Sequence, residues 1–424
     1  MSLTGDDALK SALETALAPD RFDRLGVAVS GGGDSMALLH LLADWAQAQG
    51  VALHAVTVDH GLRPAAKAEA AMVAEVCEGL GVAHRTLVWE GWDGSGNLQD
   101  QARRARYRLM TDWAREAGIG AVALGHTADD QAETFLMRLA RGSGVDGLSA
   151  MASRRRAGGV LWLRPLLAVS REALRGFLRG RRLGWIDDPS NADLRFERVR
   201  ARQILAELAP LGVTADGLMA TTRRLAEARE ALDAVTQEAA RRLARVELGD
   251  VVLERAGFAT LPAEIRRRLM VHTLNWVASA EYGPRADALA EVLRQVDEGT
   301  SATLHGCRVV VRKTDLRVAR EFQAVKDMVA EPGRLWDRRW RIVAAEALMP
   351  GETKDLQVRA LGEAGVALCA EWRAAGLPRS SMITLPALWR GTDLVAAALP
   401  EKANGWKVEM DRGEGDYFSS ILSH

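Results

Sequence analysis

Six residues that read SGGGDS, Ser30 to Ser35, follow a short apolar segment and precede a helix-like pattern. Three successive glycines allow backbone N–H groups to converge on an anion, because no Cβ blocks a close approach. A helix that begins there adds the positive end of its dipole. The pattern therefore predicts a phosphate site formed by Ser30, Gly31, Gly32, Gly33, Asp34 and Ser35.

The chemistry of this loop differs from that of the common phosphate-binding loop, because it contains no lysine. The GxxxxGK[ST] pattern places a lysine against the β- and γ-phosphates, whereas this loop carries Asp34. A carboxylate beside phosphates is favourable when Mg²⁺ bridges them, or when the bound group is a pyrophosphate that leaves. The alternative is a tight turn in which Asp34 or Ser35 caps the helix, although three glycines exceed what a turn needs.

A second group of ionisable residues lies in GHTADDQAET, residues 125–134, directly after another apolar segment. Asp129 and Asp130 are adjacent carboxylates, and either could hold Mg²⁺ at the end of a strand. The alternative is that they cap the helix that follows. His126 is expected either to contact phosphate or to pack beneath the loop.

Arginines supply the positive charge that a phosphate site needs. Arg103 and Arg106 are three positions apart and share one helix face, where they either neutralise phosphates or are solvated. His60 follows a further predicted strand. Between Met151 and Arg202 there are 13 arginines against 5 acidic residues. Such an excess suits a phosphate-rich partner such as nucleic acid, or else a set of solvated helix faces.

Alternating strands and helices must position these residues. Strands are predicted over 25–29, 51–62, 83–89, 121–126 and 160–167, and helices over 34–49, 65–82, 96–118 and 130–144. The alternation is typical of a doubly wound, Rossmann-like parallel sheet with helices on both faces. Ligands bind such α/β sheets at the carboxyl ends of the strands, near a switch in strand order. The loop, the carboxylates and His60 all follow predicted strands.

The pattern changes beyond about residue 203, which predicts further domains. Helices are predicted over 203–247, 262–278 and 285–299, a hairpin over 302–320, and short strands within 336–345, 365–372 and 380–400. We therefore expect an α/β domain over 1–216, a mainly helical domain over 217–330 and a small β-rich domain over 331–424.

Composition excludes several classes of protein. The 424 residues carry no net charge and are 48% apolar and 26% charged, as in globular proteins of more than one domain. No apolar run predicts a membrane span, and the N-terminus does not resemble a signal peptide. Cys77, Cys307 and Cys369 are far apart, which argues against a disulfide framework or a cysteine metal site. We expect a cytoplasmic protein with no membrane partner.

Several motifs occur together and in order along the chain. The SGGGDS loop resembles the PP-loop of the N-type ATP pyrophosphatases. It is followed by VDHGLR (58–63), ARRARY (102–107), GHTADDQAET (125–134), RGSGVDGLSAM (141–151), RPLL (164–167) and DDPSN (187–191). As a set these motifs resemble the tRNA(Ile)-lysidine synthase family. The resemblance is strong over residues 24–205, weaker over 217–320, and extends to an additional C-terminal domain from about residue 334.

The resemblance implies a ligase that uses ATP and Mg²⁺ to attach free lysine to the wobble cytidine of tRNA(Ile) with a CAU anticodon. ATP adenylates the oxygen at C2, pyrophosphate leaves, and the lysine amine then displaces AMP. Asp34 is the implied metal or transition-state residue. Asp130, in preference to Asp129, would hold Mg²⁺ or orient and deprotonate the amine. Arg106, in preference to Arg103, would neutralise the phosphates of ATP, and His60 would lie where the adenosine binds.

The same resemblance implies that the domain over 1–216 is catalytic, that over 217–330 binds substrate and that over 331–424 binds tRNA. It also implies contacts with tRNA in the first domain. Arg141 and Ser143 lie in a cationic loop suited to the backbone of the target nucleotide. Arg195, Arg198 and Arg202 recur at spacings of three and four, which predicts one face of a helix. Phosphate contacts there would position tRNA without reading its sequence. The expected assemblies include a homodimer.

Other PP-loop enzymes and a non-catalytic protein are the alternatives. A cluster-dependent tRNA thiolase would need paired cysteines, which this sequence lacks. A GMP or NAD synthetase would bring an amidotransferase or dimerisation segment, which neither the cysteine pattern nor the C-terminal half of the sequence supports. A nucleotide-sensing or tRNA-binding protein could hold ATP in the same loop without chemistry. The carboxylates Asp129 and Asp130 favour an enzyme, because a passive binder would not require them.

Overall fold

A six-stranded sheet organises the first part of the chain in the computed structural model, which describes residues 5–61, 65–90, 98–187, 193–280, 282–345, 355–370, 372–399 and 402–423. The chain forms two compact units, Met1–Arg229 and Glu230–His424. The second and third domains expected from the sequence fall almost entirely within the second unit, and the three-domain division stays a prediction.

The strand order of the first sheet creates a switch point at its centre. The strands are β1 (Arg24–Ala28), β2 (Ala52–Asp59), β3 (Ala83–Val88), β4 (Ala121–Leu124), β5 (Arg154–Ala157) and β6 (Val160–Leu163). Their order is β3-β2-β1-β4-β6-β5, and every neighbouring pair is parallel except β5 with β6. The order reverses between β1 and β4, where doubly wound sheets bind ligands. The predicted α/β fold class is confirmed.

Helices pack against the sheet through two apolar cores. The helices that begin in this unit are α1 (Asp6–Leu17), α2 (Gly33–Gln49), α3 (Ala65–Gly79), α4 (Leu98–Glu116), α5 (Ala128–Leu139), α6 (Val145–Leu148), α7 (Arg171–Gly180), α8 (Glu197–Leu208) and α9 (Ala215–Leu243). Those that contribute residues to the two cores are α1, α2, α3, α4 and α7. Alternate residues of β4 join different cores, as strand geometry requires. Ala121 and Ala123 pack in the core that contains α2, whereas Val122 and Leu124 pack with Trp113 of α4.

Some boundaries in this unit differ from the prediction. The strand predicted over 121–126 ends at Leu124, and the helix predicted over 130–144 is α5, because Thr127 caps a start at Ala128. The strand predicted over 160–167 ends at Leu163. It pairs with β5, which was not predicted because its sequence, RRRA, lacks the apolar pattern of a strand. The amphipathic α1 was not predicted either.

The second unit contains three antiparallel sheets among its described residues. The largest consists of β7 (Ala244–Glu247), β8 (Asp250–Glu254), β9 (Ala302–Leu304), β10 (Cys307–Val311) and β11 (Asp315–Arg320), in the order β7-β8-β11-β10-β9. The smaller sheets pair β12 (Trp340–Ala344) with β16 (Trp406–Met410), and β13 (Leu356–Ala360) with β14 (Pro386–Arg390) and β15 (Asp393–Ala397). The helices are α10 (Arg255–Thr260), α11 (Ala263–Ala278), α12 (Ala286–Asp297), α13 (Phe322–Val325), α14 (Gly362–Ala367), α15 (Arg379–Met382) and α16 (Glu414–Ser419).

Three predictions for the later part of the chain were wrong in detail. The segment 203–247, predicted to be helical, ends in strand β7. The hairpin predicted over 302–320 contains three strands. The strand predicted over 365–372 begins inside helix α14, because a short apolar run does not distinguish a strand from a helix.

Membrane-spanning helices were sought within the described ranges. No single helix there is long and apolar enough to cross a membrane. The helical segments 197–211 and 215–243, which are separated by a sharp bend, reach that length and composition only when they are taken together.

Candidate active site

An open cavity of about 1180 Å³ lies at the carboxyl ends of β1, β2 and β4. The predicted site residues that line it are Ser30, Gly32, Gly33, Asp34, Ser35, His60, Arg103, Arg106, His126, Asp130, Arg141, Arg198 and Arg202. Gly31, Asp129, Ser143 and Arg195 do not line it. The end of VDHGLR and residues 188–191 of DDPSN lie outside the described residues.

Two hydrogen bonds of the Ser35 hydroxyl close the glycine loop. Ser35 Oγ accepts from the backbone N–H of Ser30 over 3.1 Å and donates to the carbonyl of Gly32 over 2.9 Å. Gly31 has a φ of +85°, in the left-handed region that favours glycine. Gly32 is the N-cap of α2, and no side chain caps this helix. The alternative in which Asp34 or Ser35 is the cap is therefore wrong.

The close approach of β4 to this loop depends on Gly125. A Cβ at position 125 would lie 3.0 Å from Ser35 Cα and 3.1 Å from the carbonyl oxygen of Asp34. Both are backbone atoms, which cannot rotate away as a side chain would. Glycine at 125 therefore allows the segments that follow β1 and β4 to meet at the switch point.

Three carboxylates converge on one guanidinium, that of Arg171. Its Nε donates to Asp34 Oδ2 over 3.0 Å, its Nη2 to Asp130 Oδ1 over 3.2 Å, and its Nη1 to Glu133 Oε1 over 3.4 Å. The side chains of Arg171 and Glu133 are 18% and 2% exposed. Burial opposes the charge of Arg171, but its ion pairs with Asp34 and Asp130 outweigh burial and raise its pKa.

Sequence reasoning missed Arg171, although the chain carries a signal for it. Arg171 is the first residue of α7, behind the N-cap Ser170, whose Oγ accepts from the N–H of Ala173. The helix dipole disfavours a cation at this position. An arginine at a capped helix start, after a strand, therefore indicates an acidic partner elsewhere in the fold.

Asp34 keeps one oxygen without a protein partner. Its Oδ2 pairs with Arg171, but its Oδ1 is buried and forms no hydrogen bond with any described residue. Burial raises the pKa of Asp34, and the ion pair with Arg171 offsets only part of this effect. A buried, unpaired carboxylate oxygen is costly, so Oδ1 is suited to a bound cation or hydrogen-bond donor.

The adjacent carboxylates of Asp129 and Asp130 have different environments. Asp130 Oδ2 accepts from both the N–H and the hydroxyl of Thr127, over 2.9 and 3.0 Å, and so completes a capping box at the start of α5. Its other oxygen bonds to Arg171. Asp129 Oδ2 accepts from the backbone N–H of Arg171 over 2.7 Å. Asp130 therefore both caps its helix and lines the cavity.

His126 is held neutral beside these charges. Burial, together with the nearby Arg164, lowers the pKa of His126 to about 3. Its Nδ1 is buried and has no hydrogen-bond partner among the described residues. His126 can therefore offer a ligand a neutral imidazole nitrogen, but it does not add positive charge near neutral pH.

Arginines of α4 supply charge on another wall of the cavity. The guanidinium carbons of Arg103 and Arg106 lie 5.4 and 5.8 Å from the centre of the Tyr107 ring. Arg103 is exposed and Arg106 is half-buried. Burial lowers the pKa of Arg106, although the group stays charged. His60 also lines the cavity, and it packs edge-to-face on Trp89.

The row of arginines predicted along one helix face is divided in the structure. Arg195 precedes α8, whose N-cap is Phe196, and Arg195 pairs with Asp193 at the surface. This part of the prediction was wrong, because the helix begins two residues later. Arg198 and Arg202 are on α8 and approach carboxylates.

The other arginines that were predicted to contact tRNA approach carboxylates of this chain. Arg202 Nε donates to Glu133 Oε1 over 2.9 Å, and Arg198 Nη1 lies 3.8 Å from Asp130 Oδ1. Arg141 pairs with Glu197 at an exposed position. Arg198 and Arg202 thus add charge to the carboxylate cluster, whereas Arg141 stays near the surface.

The strand order, the glycine loop and the cavity at the switch point define a PP-loop ATP-binding domain. A model of the PP-loop domain matches residues 6–209 of this chain. These residues include every side chain described above as lining the cavity.

Relatives extend the similarity to the remainder of the chain. The tRNA(Ile)-lysidine synthase of Ruegeria pomeroyi is 52% identical over 401 residues, which are 95% of this chain and 94% of the relative. That of a Bradyrhizobium species is 41% identical over 70% of this chain and 89% of the relative. That of Hyphomonas neptunium is 36% identical over 83% and 95%. The chain belongs to the tRNA(Ile)-lysidine synthase family.

Proposed function

We propose that this protein uses ATP and free lysine to convert the wobble cytidine of tRNA(Ile) with a CAU anticodon into lysidine. The observation that carries the proposal is the cavity at the switch point between β1 and β4. There the glycine loop, two buried carboxylates and a set of arginines line one space. A relative named tRNA(Ile)-lysidine synthase matches 95% of this chain.

The first step joins the oxygen at C2 of cytidine to the α-phosphorus of ATP and breaks the bond to the β-phosphate. The loop from Ser30 to Ser35 would hold the leaving pyrophosphate through backbone N–H groups at the start of α2. Arg103 and Arg106 would balance the charge that develops on the phosphates. Because the γ-phosphate is not transferred, the lysine of the common phosphate-binding loop is not needed.

Asp34 is the residue that fits Mg²⁺ best. Mg²⁺ is usually held by one or two carboxylates together with phosphate oxygens, and Asp34 Oδ1 is buried without a partner. Asp130 is the second proposed ligand, but its Oδ1 already accepts from Arg171. Bound Mg²⁺ would supply charge neutralisation of the phosphates.

In the second step the lysine amine forms a bond to C2, the bond between C2 and its oxygen breaks, and AMP leaves. The amine is a nucleophile only when neutral. Asp130 would orient it and accept its proton through Oδ1, because Thr127 occupies Oδ2. Glu133, buried behind Asp130, is proposed to support this position through Arg171 and Arg202.

Arg141, Ser143 and Arg195 are proposed contacts to the tRNA backbone, because Arg141 and Arg195 are exposed cations. Arg198 and Arg202 would reach tRNA only after leaving their carboxylate partners. A tRNA substrate supports a cytoplasmic location. A homodimer stays a prediction from the family resemblance.

The decisive experiment is incubation of the protein with ATP, radiolabelled lysine and total tRNA. We expect ATP-dependent label in tRNA(Ile) and release of AMP and pyrophosphate. Binding of ATP without incorporation of lysine would instead support a passive nucleotide-binding protein.

A further inference from the structure

We propose that Arg171 is a positioning residue for this reaction: its guanidinium holds the carboxylates of Asp34 and Asp130 side by side at the nucleotide site. The inference rests on the proposed function, because it assigns a role within that reaction. Arg171 itself is not assigned any contact with ATP, lysine or tRNA.

The connectivity of Arg171 distinguishes it from the other arginines of the cluster. It bonds to three carboxylates on two helices, Asp34 at the start of α2 and Asp130 and Glu133 on α5. Arg198 and Arg202 each approach a single carboxylate, and both of these are on α5. Arg171 is thus the arginine of this cluster whose bonds join the glycine loop to α5.

Hydrogen bonds fix the backbone of Arg171, so its guanidinium can determine the position of other groups. Its backbone N–H donates to Asp129 Oδ2 over 2.7 Å. The N–H of Ala128 donates to the carbonyl of Val169 over 2.9 Å, and Ser170 caps α7. The starts of α5 and α7 are therefore joined by bonds that do not involve the guanidinium.

Electrostatics explains why a positioning group is needed. Asp34 and Asp130 repel each other when both are ionised, and each raises the cost of ionising its neighbour. The side chains of Asp34, Asp130 and Glu133 are 21%, 11% and 2% exposed, so water screens them poorly. One guanidinium donates to one oxygen of each carboxylate, because its donors lie in a plane and point in different directions.

The location of Arg171 supports a role at the site rather than in the helix. A cation in the first turn of α7 is opposed by the helix dipole. The residue is therefore unfavourable for the helix, and the carboxylates provide the compensating interaction.

The test compares Arg171→Lys and Arg171→Ala with the wild-type protein. Lysine keeps the charge but presents one compact ammonium group, which cannot form three divergent bonds. We expect kcat for lysidine formation to fall about 100-fold in Arg171→Lys and further in Arg171→Ala, because small misplacements cost about that much. The KM for ATP and the affinity for ATP measured by calorimetry should change less than threefold.

Chemical rescue provides a readout that a purely structural role would not affect. Added guanidinium at low millimolar concentration should restore part of kcat in Arg171→Ala, but not in Arg171→Lys. Arg179→Ala is the matched control, because Arg179 is on the same helix, exposed, and paired with the exposed Glu172. If Arg171→Ala does not fold, the kcat and KM of Arg171→Lys decide the question.

The outcomes separate this inference from the proposed function. If the wild-type protein forms lysidine and Arg171→Lys retains kcat within threefold, the positioning role is wrong while the function stands. A rise in the KM for ATP as large as the fall in kcat also overturns it. So does a similar fall in kcat in Arg179→Ala. If the wild-type protein forms no lysidine, the function fails and the inference fails with it.

Discussion

The two oxygens of Asp34 have opposite environments, and this difference decides what its substitution should do. Oδ2 is bound by Arg171, whereas Oδ1 is buried without a partner. The unpaired oxygen costs stability in the free protein, and under the proposed function it would bind metal together with the nucleotide. Such a residue is expected to be important for activity but not for folding.

We predict that Asp34→Ala lowers the rate of pyrophosphate release by about 100-fold or more, since loss of one strong transition-state contact has that effect. The Tm should change little, because loss of the ion pair between Oδ2 and Arg171 is offset by removal of the buried, unpaired Oδ1. Pyrophosphate release and thermal unfolding are measured on the same preparation. Near-normal turnover would leave Asp34 without a role in the chemistry.

His126 should make folding stability dependent on pH. Burial lowers its pKa to about 3 in the folded protein, from an ordinary value of 6.5. The unfolded chain therefore binds the proton first, and the stability that neutral His126 contributes is complete above about pH 6.5 and is lost progressively toward pH 3.

We predict that chemical unfolding between pH 7 and pH 5 shows a smaller loss of stability in His126→Gln than in the wild-type protein. The imidazole resonances of His126 should also show no titration over this range in NMR spectra. A titration midpoint near pH 6.5 would contradict the burial that the structure shows.

At the scale of secondary-structure elements, Gly125 controls how closely the end of β4 approaches α2. We predict that Gly125→Ala destabilises the protein by about 1–3 kcal/mol, because the added Cβ meets backbone atoms that must shift. The affinity for ATP should fall as well, since these atoms belong to Asp34 and Ser35. Unfolding and calorimetric binding of ATP measure the two effects.

Gly120→Ala is the control for this prediction. Gly120 also lies next to β4, but a Cβ there would meet nothing within 4 Å. Equal effects of the two substitutions would show that contact with the loop is not the cause.

The positions of the glycine loop and of His126, Asp129 and Asp130 were predictable, because glycines and strand ends are local signals. Arg171 was not predictable in the same way. It lies 137 residues from Asp34 and 41 from Asp130 along the chain, so their contact depends on the strand order. The division of labour between Asp129 and Asp130 likewise depends on where α7 begins.

At the scale of the whole molecule, a buried ion pair joins parts of the second unit. Asp250 of β8 accepts from Arg317 over 2.9 Å and from the hydroxyl of Ser381 in α15. The side chains of Asp250 and Arg317 are 7% and 3% exposed. Burial raises the pKa of Asp250, while the bonds to Ser381 and Arg317 oppose this shift.

We predict that Asp250→Ala destabilises the second unit by about 3–5 kcal/mol, because it leaves the charge of Arg317 without its buried partner. Chemical unfolding followed by tryptophan fluorescence measures the change. Asp327→Ala is the control, since Asp327 is exposed and only approaches Lys326. Arg317 also pairs with Glu247. A loss below about 1 kcal/mol at position 250 would show that Glu247 alone compensates the charge of Arg317.

The structure of the second unit was harder to predict from the sequence than the parallel sheet of the first unit. Repeated strands and helices of regular length predicted the parallel sheet, since each element has a clear period. The second unit is built from short strands such as β9 and short helices such as α14, whose apolar runs fit either structure. Its three sheets became evident only from their pairing.

The capping box of α5 has a consequence for how this site can change during evolution. A single side chain, that of Asp130, begins the helix through one oxygen and faces the cavity through the other. Under the proposed function, most replacements of Asp130 would damage folding and chemistry together. Mutational tolerance should therefore be lowest at the capping box that Thr127 and Asp130 form.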